Sequence, residues 1–321
     1  MKNTLEVKGL KTHFITRHGV IKAVDGVSFS VGEGETLGIV GESGCGKSIT
    51  CLSIMRLVPA PAGHIVAGEI VLEGEDLLQK SSREMRKIRG GRVCMILQDP
   101  MTSLNPVFTI GNQVSESIKI HQQLDRKTVK EKAMEMLAMV KIPLPEVRML
   151  EYPHQMSGGM RQRIVGAMAL SCQPKLLIAD EPTTALDVTI QAQFLQLLKS
   201  IQREFNLSLI VVTHDFGIVA KICDRVMVMY AGKIVENAPI KEIFNSPRHP
   251  YTIALMNSLP KLEQKLEILP SIDGQPPDLG RLPPGCSFAS RCPQVMDICT
   301  QEFPSESVVD DGHTMSCWIA S

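Results

Sequence analysis

The sequence has no net charge: 34 lysines and arginines balance 34 aspartates and glutamates over 321 residues. Nucleic-acid binding needs a basic surface to neutralise phosphates, so this balance argues against nucleic acid as the main partner. No apolar run approaches the roughly 20 residues that a spanning helix requires. The opening stretch Met1 to Lys8 lacks the apolar core of a signal peptide. Residence in the cytosol is therefore expected, with any membrane role supplied through a partner. Internal repeats and sustained heptads are also missing. The 44% hydrophobic content suits a globular protein with a real core, and the length allows one large domain plus an extension, or two domains.

What the sequence does contain is organised around Gly41-Glu42-Ser43-Gly44-Cys45-Gly46-Lys47-Ser48, which fits the phosphate-binding pattern G-x-x-x-x-G-K-[ST]. Only one such loop occurs. Thr36 to Val40 before it reads as a buried strand, and Ile49 to Val58 after it reads as a buried helix. The loop thus falls where a helix N-terminus offers unpaired N–H groups and a positive end to an anion. Lys47 supplies a positive charge for phosphates, and the Ser48 hydroxyl suits Mg²⁺. A nucleoside triphosphate is the expected ligand.

Leu5 to Lys8 and Ala23 to Val31 read as strands, with Phe14 between them in a polar, turn-rich segment. Phe14 either stacks on a base or is an ordinary core aromatic. Gly68 to Leu72 gives a further β segment. The strand Arg92 to Leu97 delivers Gln98 and Asp99 at its end, where Pro100 stops regular structure. Helical periodicity then runs from Gly111 to about Leu150, with Val114 and Ile118 on one stripe and Val129, Ala133, Met136, Leu137 and Val140 on another. Thr128 to Glu131 fits a capping box that predicts a helix start there. Ser157-Gly158-Gly159 opens another helix and is a second anion-binding terminus. Leu176 to Ala179 is an apolar strand ending in the carboxylate pair Asp180-Glu181. A helix with Ile190, Phe194, Leu197, Ile201 and Phe205 on one face follows. The strand Leu207 to Thr213 ends at His214, and a hairpin turning at Ala231-Gly232 closes the α/β part.

Taken singly, several of these signals are weak. Their order (P-loop, Gln98, Ser157-Gly158-Gly159, Asp180-Glu181, Asp187, His214) resembles that of ATP-binding cassette (ABC) ATPases from Leu5 to about Pro239. A kinase or GTPase lacks the Ser-Gly-Gly helix start between the P-loop and the second carboxylate strand. The resemblance implies a P-loop α/β fold with a RecA-like core, an antiparallel β part and a helical subdomain. It predicts an ABC domain over residues 1–240, the helical subdomain inserted at about 100–173, and a C-terminal extension over 241–321. It also implies roles. Gly41, Ser43, Gly44, Cys45, Gly46, Lys47, Ser48 and Ile49 hold the phosphates. Asp180, with Ser48 and Gln98, holds Mg²⁺, and Glu181 polarises the attacking water. Gln98 senses metal and water, His214 contacts the γ-phosphate, Phe14 stacks on adenine, and Asp187 lies in the loop that crosses between two cassettes. Because each ATP sits between one P-loop and another cassette's Ser157-Gly158-Gly159 turn, the chain is expected to dimerise. Met156 and Met160 stand where the commonest signature has Leu and Gln; backbone N–H groups and the serine hydroxyl make the phosphate contacts, so activity is expected to persist.

Closer details are similar to the ATP-binding subunits of bacterial dipeptide and oligopeptide permeases over essentially the whole chain. They are Gln98 to Pro106, Met156 to Arg163, Asp180 to Asp187, His249-Pro250-Tyr251-Thr252 and Cys286 to Pro293. That likeness implies a related, non-identical ATPase partner, two membrane permease subunits and a periplasmic or extracellular peptide-binding protein. It places the chain on the cytoplasmic face of the inner membrane as a peripheral subunit. Nickel, a peptide antibiotic or another small solute remains open as cargo, and a soluble non-transport ABC ATPase is the more distant alternative. The segment Gln98 to Pro106 is expected to dock a membrane subunit.

Nine cysteines occur, five of them scattered through apolar segments and four (Cys286, Cys292, Cys299, Cys317) in the last forty residues. A reducing compartment disfavours disulfides. The spacings are not the tight C-x-x-C pairs of a zinc ribbon, and suit thiolates converging on something larger than one zinc ion. Iron–sulfur, zinc and free thiols or disulfides stay open on the residues alone. The permease resemblance points to a [4Fe–4S] cluster, with His313 as a reserve ligand. Leu269 to Pro284 reads as an irregular connector.

Overall fold

The computed structural model describes residues 2–98, 103–184, 186–259 and 272–320. Two compact units divide the chain, and the backbone passes between them several times. One comprises the residues up to Leu5, Ser30–Thr36 and Val71–Val212; the other comprises Glu6–Phe29, Leu37–Ile70 and the chain from Thr213 onward.

In the first unit three strands run parallel: β6 (Val93–Ile96), β7 (Leu176–Asp180) and β8 (Ser208–Val212), with β7 in the middle. Leu176 pairs with Val93 on one side and Ser208 on the other. Every residue of β7 and β8 is buried, as continuous apolar runs in a parallel sheet require. Helices Ile110–His121, Arg126–Met139 and Gly158–Leu170 pack together, burying Val114, Ile118, Val129, Ala133 and Leu137 along the predicted stripes. The second of these helices begins before the predicted capping box. Asp125 caps it, accepting from the N–H groups of Lys127 and Thr128, and the Thr128 hydroxyl donates to Asp125 as well. A carboxylate with two acceptor oxygens outcompetes a hydroxyl for those N–H groups.

In the second unit β1 (Asn3–Thr16) and β2 (Gly19–Gly32) form a hairpin longer than the predicted strands, with β4 (Gly63–Leu72) on the other side of β1. Phe14 therefore lies within a strand rather than in a turn. The short strand β5 (Glu75–Asp76) pairs with the end of β4. Strand β3 (Thr36–Val40) runs parallel to β9 (Arg225–Tyr230), which turns through Ala231 and Gly232 into β10 (Lys233–Pro239). The tail is not wholly irregular. It supplies β11 (Ser307–Asp310) and β12 (His313–Met315), and β12 pairs with β10, setting Met315 opposite Glu236. Strands this short carry too little periodicity to stand out in the sequence, and pairing with a distant edge is what fixes them. Among the described residues no helix is long and apolar enough to cross a membrane.

Candidate functional site

The P-loop joins β3 to the helix Lys47–Ile54. Its glycines are dictated by contact. A Cβ on Gly41 would lie 2.2 Å from the Met229 carbonyl oxygen, and one on Gly46 would lie 2.2 Å from that of Ala23. Both also have positive φ, 151° and 106°, which side chains rarely adopt. The loop is thus pressed against β9 and β2, and Ser43 and Gly44 are exposed. The buried Lys47 ammonium donates to the carbonyl oxygens of Gly41 (2.7 Å) and Glu42 (2.9 Å). A cation is thereby held inside the curl where phosphates are expected. Cys45 is buried, and burial pushes its thiol pKa up despite nearby Lys47. Ser48 and Ile49 follow in the first turn, half-buried. Phe14, also half-buried, sets its ring edge where a Cβ on Gly63 would otherwise sit. His214 is exposed just after β8.

The other unit gathers a second set. Asp180 ends β7 and is buried, while Glu181 directly after it has φ 44°. A non-glycine residue in that region stores about 1–3 kcal/mol of strain, which clusters at functional sites. Two donors fix the Glu181 carboxylate: Gln98 Nε2 at 3.0 Å and Thr184 Oγ1 at 3.1 Å, both to Oε2. The sequence put Gln98 and Glu181 83 residues apart, and adjacency of β6 to β7 brings them together. Ser157 caps the helix Gly158–Leu170, its hydroxyl accepting from Met160 N–H, and Asp187 caps the helix Val188–Phe205 through Ile190 N–H. A Cβ on Gly159 would meet Ile190 Cγ2 at 2.6 Å, whereas one on Gly158 would meet nothing within 4 Å. Gly159 thus serves packing inside the chain and Gly158 leaves an open face. Asp99 to Thr102, the first half of the expected docking segment after Gln98, lie outside the described residues.

The four C-terminal cysteines converge. Cys286, Cys292, Cys299 and Cys317 line one cavity together with His249, Phe288, Pro304 and Trp318, with no Lys, Arg, Asp or Glu in its wall among the described residues. Gly285 permits this, since a Cβ there would lie 2.2 Å from the Cys299 carbonyl, to which Cys286 N–H donates at 2.7 Å. Burial pushes the Cys286 thiol up to about 11, and the three neighbouring thiols add to it. Among the described residues no three His, Cys, Asp or Glu side chains come close enough to share a single metal ion.

His313 does not line this cavity. It is buried with Nε2 2.8 Å from Glu236, whose carboxylate also accepts from the N–H groups of Arg248 (2.7 Å) and His249 (3.0 Å). The reserve-ligand expectation for His313 is therefore replaced: the histidine facing the thiols is His249. Its Nδ1 accepts from Tyr251 N–H at 3.0 Å, and burial lowers its pKa to about 4. Sequence reasoning noticed His249 only as part of His-Pro-Tyr-Thr. A histidine before proline at a helix start is the signal that marked it as a cap.

Comparisons with known proteins bear on both regions. A family model described as ABC transporter matches residues 24–184, and one described as the C-terminal region of oligopeptide/dipeptide transporters matches residues 235–299. A dipeptide transport ATP-binding protein of Bacillus subtilis (strain 168) is 51% identical over 99% of this chain and 95% of its own length. An oligopeptide transport ATP-binding protein of Haemophilus influenzae is 47% identical over 100% of this chain and 98% of its own. Among solved structures, a dimeric post-hydrolysis ATP-binding cassette bound to ADP and Pi superposes with a TM-score of 0.66 at 26% identity, covering 74% of this chain and 98% of that one. A cassette of Clostridium perfringens that is part of an ABC transporter complex gives 0.65 at 25% identity, over 77% and 92%.

Proposed function

Because this chain belongs to the ABC transporter family, we propose that it is the ATP-hydrolysing subunit of a bacterial importer of dipeptides and oligopeptides. The observation that carries this reading is likeness over nearly the full length to peptide transport ATP-binding proteins, including the C-terminal region model. Within the reading, the sequence divides into an ABC domain to about residue 240, with its helical subdomain at about 100–173, and the cysteine-bearing extension beyond.

Backbone N–H groups of the P-loop and the Lys47 ammonium bind the phosphates, and Phe14 stacks on adenine. By the family resemblance Ser48, Asp180 and Gln98 would hold Mg²⁺, which would supply positive charge against that of the phosphates. Glu181 accepts the proton of the attacking water as general base. Its carboxylate is already aimed by Gln98 and Thr184, so little reorganisation is needed at the reacting atom. His214 contacts the γ-phosphate. The open face of Gly158, with Ser157 and Gly159, serves the nucleotide of a second cassette, and Asp187 lies at that crossing. The partners are then a related ATPase subunit, two permease subunits and an extracytoplasmic peptide-binding protein, with this chain peripheral on the cytoplasmic face and no role for nucleic acid.

Four soft thiol donors on one cavity wall support reading it as the place of a soft, cationic group. Its donors are four thiols with the His249 imidazole beside them, its wall carries no competing charge among the described residues, and thiolates held there would need a compensating cation. Cys286, Cys292, Cys299 and Cys317 would hold a [4Fe–4S] cluster, which supplies a structural staple here. Anaerobically purified protein should be brown, with near-equal iron and acid-labile sulfide; colourless protein with stoichiometric zinc would replace the cluster by a zinc staple.

Transport itself is tested by deletion and complementation. Loss of the chain should abolish dipeptide uptake, and the parent but neither Lys47→Ala nor Glu181→Gln should restore it. Undiminished peptide uptake on deletion would send the assignment to another solute.

A further inference from the structure

The cysteine-bearing extension is wired to the P-loop through one residue, Glu42. Arg291 sits in the short turn Ala289–Arg291, with Cys286 ahead of it and Cys292 directly after it. Its guanidinium donates to both Glu42 carboxylate oxygens, at 2.7 and 3.0 Å, and its side chain is only 3% exposed. The same guanidinium donates to the Tyr230 hydroxyl at 3.2 Å and to the carbonyls of Ile272 and Asp273. The Glu42 backbone N–H, meanwhile, donates to the Tyr251 hydroxyl at 2.9 Å. Tyr251 is buried, two residues from His249 on the cavity wall, and packs with Tyr230 and Phe288 at ring separations of 4.5 and 5.3 Å. Phe288 itself lines the thiol cavity.

A carboxylate on the second residue of a phosphate-binding loop is an electrostatic liability, because it opposes the charge the loop receives. Here it is neutralised by a buried bidentate arginine, a geometry that fixes position as well as charge. Breaking such a pair from the arginine side leaves the carboxylate uncompensated beside the loop, and the damage exceeds the worth of the contact. The arginine is held in turn by a seven-residue segment, Cys286 to Cys292, whose ends are two of the four cavity cysteines. We propose that Arg291 and Tyr251 are positioning residues of the nucleotide site, through which the integrity of the four-thiol cavity sets affinity for ATP. This rests on the P-loop being the nucleotide site. It requires nothing of the cavity's occupant beyond holding Cys286 and Cys292 in place. By linkage, ATP acts back on the cavity to the same extent.

The test is titration of the full-length chain, purified anaerobically, with a fluorescent ATP analogue. Arg291→Ala should weaken binding about tenfold, within the usual range of such couplings, and Arg291→Lys by less. Adding Glu42→Gln to Arg291→Ala should restore most of the affinity, since it removes the uncompensated charge; a merely unfolded loop would not be rescued. Cys286→Ser and Cys292→Ser should each weaken binding similarly, and combining either with Arg291→Ala should add little. As a reading that needs no cysteine variant, ATP should slow iodoacetamide labelling of Cys286 and Cys292 in the parent but not in Arg291→Ala. Parent-like affinity in Arg291→Ala, with Lys47→Ala severely impaired, would overturn the inference and leave the nucleotide site standing. Full additivity of Arg291→Ala with the cysteine variants, or labelling indifferent to ATP, would overturn the route through the cavity. Parent-like binding in Lys47→Ala would bring down both.

Discussion

Glu181, the proposed general base, combines a strained backbone with an aimed carboxylate. Its left-handed backbone and the two donors on Oε2 aim the carboxylate, and neither contact holds nucleotide. Glu181→Gln should therefore cut phosphate release by about 100-fold or more, the usual worth of a general base. Affinity for ATP should stay near the parent's, and equal loss of both would remove the assignment. A second residue, Asp25, reports on stability. Burial pushes its pKa up, but Lys233 at 3.3 Å, with Lys11 and Lys22, outweighs burial and leaves it below the ordinary value. A carboxyl depressed in the folded state contributes stability above its unfolded pKa and loses it as pH falls through the folded one. Asp25→Asn should thus cost about 1–2 kcal/mol at pH 7. Parent and variant melting curves should converge as pH drops below the ordinary carboxylate range.

Among elements, the helix Gly158–Leu170 separates packing from function at adjacent glycines. Gly159→Ala drives a methyl into Ile190 and should cost about 1–3 kcal/mol of stability. Gly158→Ala meets nothing within 4 Å among the described residues, so its melting temperature should stay close to the parent's apart from a small gain in helix propensity. ATP hydrolysis by the assembled complex should nevertheless fall, because a methyl would then stand on the face offered to a second cassette's nucleotide. Matched loss of stability in both variants would refute the distinction. Helix Arg126–Met139 offers a simpler comparison by thermal melting: Asp125→Ala should cost about 1 kcal/mol as a lost cap, and Thr128→Ala less.

For the whole molecule, a chain with one P-loop and one Ser-Gly-Gly turn completes an ATP site only with a second cassette. Glu181→Gln with ATP, mixed with its ATPase partner, should give a stable dimer by light scattering that ADP does not support. Removing the tail from Ser307 onward would uncover the β10 edge and strip the buried Glu236 carboxylate of His313. An unpaired edge and a buried charge short of a partner predict a lower melting temperature and aggregation.

The motifs, the order of the strands they end, and the family were legible in the sequence because each depends on local chemistry: glycines that admit a phosphate, apolar runs that must be buried, carboxylates at strand ends. The convergence of the cysteines was legible as an expectation from composition, and the choice of what they hold was not. Tertiary structure decided the contacts between distant segments. It paired β12 with β10, committed His313 to Glu236, turned His249 rather than His313 toward the thiols, and closed Arg291 on Glu42 across 249 residues of chain. Such contacts have no local signature, because an arginine or histidine shows no periodicity. Its partner is chosen by which backbone the sheet and the cysteine turns bring within reach.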